Sequence, residues 1–301
     1  PETGKGTLTL TPTGSFLSGE IEITATFGAR PVQTKTISLN AFADGEGTAA
    51  SPYIISTAAE FAKVAYGLDK EFKLSADIDL GTNWTPAGTA ENPFNGTIAA
   101  DNHAVTLNIN RPDEDYVGLF GHIGPNAVIT GLTIKGSVTG NDYVAAIAAY
   151  SDADITANTD DVTVTGANHV AAAIASGSAK DDTVIEFGEN VVTAVNIVMG
   201  TTQTSGKLGL VSAGPDIVFD PGQTGSEWSY DKDTDEYTVT KGDSHVDGTV
   251  AFHAEIGENV RSTEHSISLT SKKMYESGTG TEGDPYIVID ADQFAATLST
   301  Y

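Results

Sequence analysis

EDYVGLFGHIG (Glu114 to Gly124), NDYVAAIAAYS (Asn141 to Ser151) and NHVAAAIASGS (Asn168 to Ser178) share a valine, Val117, Val144 and Val170, at intervals of 27 and then 26 residues. Between them, VITGLTIKGSVTG (Val128 to Gly140) and DITANTDDVTVTG (Asp154 to Gly166) repeat with an offset of 26. Small residues at corners and β-branched residues alternating along the sides let such a chain wind into a coil, each strand lying on its counterpart one rung away. Rungs then sit about 4.8 Å apart, hydrogen-bonded above and below. An ordinary β-sandwich of hairpins would instead carry turn signals every ~8 to 12 residues and no self-similarity at this longer period. The spacing therefore predicts an all-β chain built on a parallel β-helix.

A longer repeat surrounds the coil. GTAASPYIISTAAEFAKVAYGL (Gly47 to Leu68) aligns without a gap to GTEGDPYIVIDADQFAATLSTY (Gly280 to Tyr301), with 8 of 22 positions identical. Upstream, EIEITATFG (Glu20 to Gly28) matches TVAFHAEIG (Thr249 to Gly257), and TISL (Thr36 to Leu39) returns as SISL (Ser266 to Leu269). This pattern predicts one full unit of a tandem array plus the opening of the next, an arrangement common in long modular proteins. The expected boundaries are a partial Ig-like strand segment over 1–44, the β-helix over 45–214, an Ig-like β-strand module over 215–277, and the start of a second coil over 278–301. Because 7–40 matches only the later part of the 215–277 module, the N-terminal copy is expected to lack an edge partner.

Four consecutive segments resemble bacterial surface proteins with the GLUG motif: SPYIISTAAEFAKVAYGLD, then Phe72 to Thr89, Asn92 to Ile109, and YVGLFGHI (Tyr116 to Ile123). The Gly-Leu-Phe/Val-Gly element of that family corresponds to Gly118, Leu119, Phe120 and Gly121. Later copies replace it with Ala-Ala-Ile-Ala, and the family's Asp-Gly-Asn-Gly-His stands here as Ala99, Ala100, Asp101, Asn102, His103. The resemblance covers roughly 45–200 and implies a right-handed β-helix in adhesins and other large bacterial cell-surface proteins. An open end of such a coil templates aggregation and needs a lid. Thr57 to Glu60 has the form of a capping box, and Phe61, Val64, Ala65 and Leu68 recur at helical spacing, predicting a short N-terminal capping helix. Residues after Pro215 are expected to cover the other end.

Composition narrows the partners. The chain has 41 acidic and 15 basic residues, a net charge of −26, three arginines and no cysteine. Phosphate recognition draws on clustered Lys and Arg, so nucleic acid and acidic membrane surfaces are poor partners. No run reaches the ~18 apolar residues of a membrane-embedded helix, and no signal peptide opens the chain, which is read as mature or cut from something larger. Pro1 to Gly4 read PETG, the end of an LPxTG sorting signal, but strand-like sequence follows it and a linker is the expected role.

Candidate chemistry is sparse. Asp231, Asp233 and Asp235 in YDKDTDEY have the alternating spacing that opens a Ca²⁺ loop, yet Glu236 and Gly242 stand where the loop needs glycine and a bidentate glutamate. A hairpin turn is the plainer reading, and Ca²⁺ is the only ligand ion entertained; no cofactor is expected. Asp77 with Asp79, and Asp113 with Asp115, are pairs that acid–base catalysis could use but that an acidic chain produces by chance. The six histidines have no metal-site spacing. Trp84, Phe94, Tyr116, Tyr143 and Tyr150 are placed to stack on sugars or on one another, Tyr143 repeating the position of Tyr116.

The expected function is a non-catalytic repeat of an extracellular bacterial surface adhesin or stalk. Its contacts, with a glycan or a host or cell-surface protein, would gain strength by avidity, and neighbouring repeats of the same chain would be its other partners. The alternative is a carbohydrate-active β-helix, a polysaccharide lyase or hydrolase. Such lyases commonly set arginine or lysine beside an acidic groove, and Arg111 is the only arginine in the coil.

Overall fold

A computed structural model describes residues 15–25, 32–198, 203–212, 214–242, 244–272, 275–278, 280–289, 291 and 293–294. The PETG segment, the first residues of the 7–40 stretch up to 14, and Phe27, Gly28, Asp290 and Asp292 lie outside the described residues. Strands dominate, and the centre of the chain is a β-solenoid of about four turns.

The solenoid has parallel ladders on its sides. One joins Tyr53–Ile55, Glu71–Leu74, Thr97–Ala99 and Val128–Thr130 in that order. A second joins Ile78–Asp79, Ala104–Asn110, Leu132–Thr139 and Ala157–Gly166. A third stacks Phe120–Ile123, Ala148–Ser151 and Ile174–Ser176, beside a short ladder of Asp142–Ala145 on Asn168–Ala171. Period-2 alternation sends every second side chain inward, and the register aligns these into columns. Ile109, Val138 and Val164 occupy successive rungs of one column, each 1 % exposed or less. A neighbouring column runs from Leu107 to Val162 through Gly136, where the repeat spacing requires glycine. Gly136 has φ +97°, and a Cβ there would lie 2.1 Å from the Leu107 carbonyl oxygen.

The GLFG element sits in the coil wall with Leu119 and Phe120 fully buried, and a Cβ on Gly118 would approach the Ala145 carbonyl to 2.6 Å. The ungapped alignment of the 114 and 141 segments holds only at its start. Val117 bridges Val144, 27 residues on, but Phe120 pairs Ala148 and His122 pairs Tyr150, an offset of 28. A one-residue slip therefore occurs within the wall and places His122 beneath Tyr150.

Between the first two strands of the first ladder, Tyr53–Ile55 and Glu71–Leu74, Thr57 and Glu60 make both bonds of the capping box, opening a four-residue α-helix Ala58–Phe61 that continues as a 3₁₀ turn over Ala62–Tyr66. Phe61 and Val64 are fully buried, and the Phe61 ring meets the Trp84 ring edge-on at 5.4 Å.

After the coil, Asp216–Asp220 pairs antiparallel with Gly248–Ile256, which pairs with His265–Lys272. Glu236–Lys241 lies between Gln203–Lys207 and Ser226–Asp231 in a separate antiparallel sheet. Phe219 of the first sheet stacks on Trp228 of the second at 4.9 Å, so aromatic rings fill the space between them. Strands from ahead of residue 215 complete these sheets: Gln203–Lys207 in one, and Ala194–Val198, parallel to His265–Lys272, in the other. Val260–Ser262 adds to the coil itself, parallel to Ala157–Gly166, so Val260 extends the Ile109–Val138–Val164 column.

Candidate functional site

The corners of successive rungs carry an aromatic ladder. Tyr116, Tyr143 and His169 occupy equivalent positions, all with positive φ (59°, 56° and 48°). The left-handed turn throws each ring outward onto the ring of the next rung. Tyr116 and Tyr143 stack at 4.7 Å and 8°, Tyr143 and His169 at 4.3 Å and 14°. The slip in the wall adds a branch, because Tyr116 lies 5.0 Å from His122, which stacks on Tyr150 at 5.2 Å.

A side chain ahead of each ladder ring braces the turn. Asp115 accepts from the Asn141 amide at 2.8 Å and from the Asp142 N–H at 3.2 Å. Asp142 accepts from the Tyr143 N–H at 2.9 Å and lies 2.7 Å from His169 Nδ1, whose Nε2 is 3.5 Å from Glu186. Asn168 Oδ1 accepts from the Phe187 N–H. Burial, followed by the neighbouring Asp142 carboxylate, pushes the Tyr143 phenol up, so it stays a neutral donor. Burial also lowers His122, against a weaker opposing pull from Glu91, which favours its neutral form.

A cleft of about 360 Å³ runs alongside the ladder, between the 86–91 loop and Glu114, Asp115, Tyr116 and His122. A second, about 280 Å³, lies on the other side of His122, with Tyr150 and Asp152 in its wall. The surface presented is aromatic with carboxylates around it. The ring faces are largely occupied by one another, so ring edges and hydroxyls with carboxylates around them are what the clefts meet, and the acidic rim disfavours anions.

The residues expected to contact sugars separate into two groups. Tyr116, 41 % exposed, Tyr143 and Tyr150 come together on the ladder. Trp84 does not: it is 6 % exposed and donates from Nε1 to the Leu119 carbonyl at 3.0 Å, which makes it a core residue. Phe94 is fully buried against Phe120. The Tyr150 hydroxyl donates to Asp152, which also accepts from Ser178, so that end of the branch is held from its own rung and the next.

The acidic candidates are bonded locally. Asp231 accepts from the Asp233 N–H in the hairpin turn. Asp235 folds back to accept from the Gly209 and Leu210 N–H groups and the Tyr230 hydroxyl. Among the described residues, no group of three or more His, Asp or Glu side chains is gathered to hold a metal. Asp77 accepts from the Ala104 N–H and faces His103, and Asp79 accepts from the Gly81 N–H. The Arg111 guanidinium is engaged by Glu114, the Trp84 carbonyl and the Thr85 hydroxyl. His122 and His169, two of the six histidines without metal-site spacing, are the ladder members that the sequence does not single out. The alignment of His169 with Tyr116 and Tyr143 was the available signal.

No helix among the described residues is long and apolar enough to cross a membrane. No family model matches the chain. No solved structure matches it either. Among curated proteins it is 38 % identical over 125 residues to a Gly-rich membrane protein, so named, of Evansella cellulosilytica, an alignment covering 34 % of this chain. It is 31 % identical over 150 residues to halomucin of Haloquadratum walsbyi, covering 44 % of this chain. These alignments span 14 % and 2 % of the relatives' own lengths, so the likeness is to small parts of much longer proteins.

Proposed function

We propose that this chain is a non-catalytic repeat unit of a bacterial cell-surface protein, an extracellular stalk or adhesin segment whose ladder edge makes weak, repeated contacts with glycan. The observation that carries this reading is the internal repeat at the level of hydrogen-bond register. The pair Gly19 with Leu39 reappears as Gly248 with Leu269, and Ile21 with Ile37 as Val250 with Ile267. A unit copied with its pairing intact suits an array in which each copy does the same mechanical or binding task. Halomucin and the Gly-rich membrane protein, both far longer than this chain, are in keeping with such an array. In this reading the Ala58–Tyr66 helix is the lid on the first rung, the sheets after the coil form an Ig-like connector, and the GLUG resemblance names the coil type. Weak single-site contact is expected, since avidity over many copies supplies the strength.

A second reading has one observation in its favour. The 360 Å³ cleft brings Glu91, Glu114 and Asp115 near a His122 held neutral by burial, the inventory of a glycosidase-like acid–base site. The engagement of Arg111 in its loop supports the non-catalytic alternative over a lyase.

A glycan and mucin array with and without Ca²⁺, run beside a reducing-sugar release assay on pooled polysaccharides, separates them. Retention without release, lost in Tyr116→Ala, is the expected result. Release of reducing ends would overturn the non-catalytic reading, and no retention would reduce the unit to a spacer with a purely structural ladder.

A further inference from the structure

The chain holds the same hairpin twice, in different surroundings. Near the C-terminus, Gly248–Ile256 and His265–Lys272 form a pair with both outer edges occupied, one by Asp216–Asp220 and the other by Ala194–Val198. Its inward residues Val250, Phe252, Ile267 and Leu269 are 1 % exposed or less. Near the N-terminus, Ser18–Ala25 and Gln33–Asn40 pair in the equivalent register. There, among the described residues, neither edge has a neighbouring strand. The equivalent side chains Ile21, Ile37 and Leu39 are only half-buried, and Ile23 is 37 % exposed.

An unpaired edge with an apolar face beside it is a site for strand addition. The second hairpin shows what covers such an edge in this molecule. We infer that the N-terminal hairpin is a docking surface for the coil end of another unit of this kind, an inference that rests on the repeat-unit reading above. That unit lays a strand like Asp216–Asp220 along Ser18–Ala25 and one like Ala194–Val198 along Gln33–Asn40. Carrying the observed register across sets Phe219 opposite Ile23, and Val195 opposite Leu39. One contact is adverse: Asp220, which faces Ala251 in the C-terminal copy, meets Glu22. Like charges directly opposite destabilise a strand pair, so docking strengthens as salt rises.

The hairpin is already attached on its other side. Ser18 hydrogen-bonds the Tyr53 hydroxyl at 2.6 Å, and Phe42 stacks on Tyr53 at 4.2 Å. The C-terminal copy repeats the ring stack, with Tyr275 on Tyr286 at 3.7 Å. A docked hairpin thus bridges the last rung of one coil and the first rung of the next.

The test is a two-unit chain, residues 1–246 followed by 18–301, in which the inner hairpin, with its Ser18, takes the place of 247–272. Amide hydrogen exchange is read by mass spectrometry in this chain and in the parent. In the parent, 18–25 and 33–40 should exchange about 100-fold or more faster than 248–256 and 265–272; in the two-unit chain the inner hairpin should join the slow class. An inner hairpin that stays as fast as the outer one overturns the inference, as does a first coil whose rungs over 97–151 lose protection because its end is uncovered. Ile37→Asp should leave the Tm of the parent unchanged and lower that of the two-unit chain when placed in the inner copy; equal effects in both also overturn it. The glycan array reads the adhesive role independently, so either idea can fail alone.

Discussion

Truncating Tyr143 is the sharpest probe of the aromatic ladder, because its ring stands between two others. Stacking contributes ~0.5 to 1.5 kcal/mol per pair beyond simple burial, so losing the contacts to Tyr116 and His169 should cost about 1 to 3 kcal/mol. That is roughly a 5- to 150-fold shift in the unfolding equilibrium of the coil. Backbone conformation supplies an internal control. At φ 56° tyrosine and alanine carry a similar left-handed penalty, which glycine escapes, returning about 1 to 2 kcal/mol. Tyr143→Gly should therefore be less destabilising than Tyr143→Ala, the reverse of the order expected in a strand. Urea unfolding in a Trp228→Phe background measures this, since Trp84 then reports the coil alone. A Tyr143→Ala loss under about 0.5 kcal/mol, or a glycine variant worse than alanine, would refute the idea that stacking holds this edge. A double-mutant cycle with His169→Leu should show coupling; strict additivity would mean that the rings merely sit close.

Three further outcomes follow from other parts of the structure. Gly136→Ala should destabilise the coil by at least ~2 kcal/mol, because a left-handed penalty adds to a 2.1 Å approach to the Leu107 carbonyl, and an unchanged urea midpoint would count against the rung spacing described. Burial lowers the His265 pKa from 6.5, so the native state binds fewer protons than the unfolded one; stability from this residue is full above about pH 6.5 and is lost as pH falls toward the folded value. His265→Phe, which keeps the ring beside Phe187 and Phe252, should flatten that part of a Tm–pH curve, and an unaltered curve would locate the titration elsewhere. With a net charge of −26, self-repulsion should make Tm rise between about 0.01 M and 0.1 M NaCl as the screening length shortens from ~30 to ~10 Å; a flat response would show the charges already neutralised within the fold.

The coil was legible because its physics is periodic. Each rung must bury the same columns, so Val138 and Val164, or Tyr116 and Tyr143, announce themselves by spacing alone. The capping box was legible for a local reason, as Thr57 and Glu60 are three residues apart and satisfy each other's backbone. What escaped was non-periodic. The slip between Val144 and Ala148 falls in a run of alanines, where one-residue offsets are indistinguishable by composition, and it decides that His122 rather than Ile123 meets Tyr150. The pairing of Ala194–Val198 with a strand more than 70 residues later leaves no trace in spacing at all. That Trp84, a candidate for stacking on sugars or on other rings, points inward depends on Phe61 and on the Leu119 carbonyl, contacts made across rungs. Asp235 shows the same limit, since the two backbone N–H groups that claim its carboxylate lie 26 and 25 residues upstream.

The parallel ladders that run the length of the coil also fix how it answers a pull. Their hydrogen bonds point along the coil axis, so traction between the ends opens them directly, one turn after another, instead of shearing a whole sheet at once. A turn of 26 to 31 residues releases roughly 90 to 110 Å of chain as it unwinds. Under flow or tension such a unit yields in small steps, lengthening many times over while the turns still wound keep their ladders of rings intact.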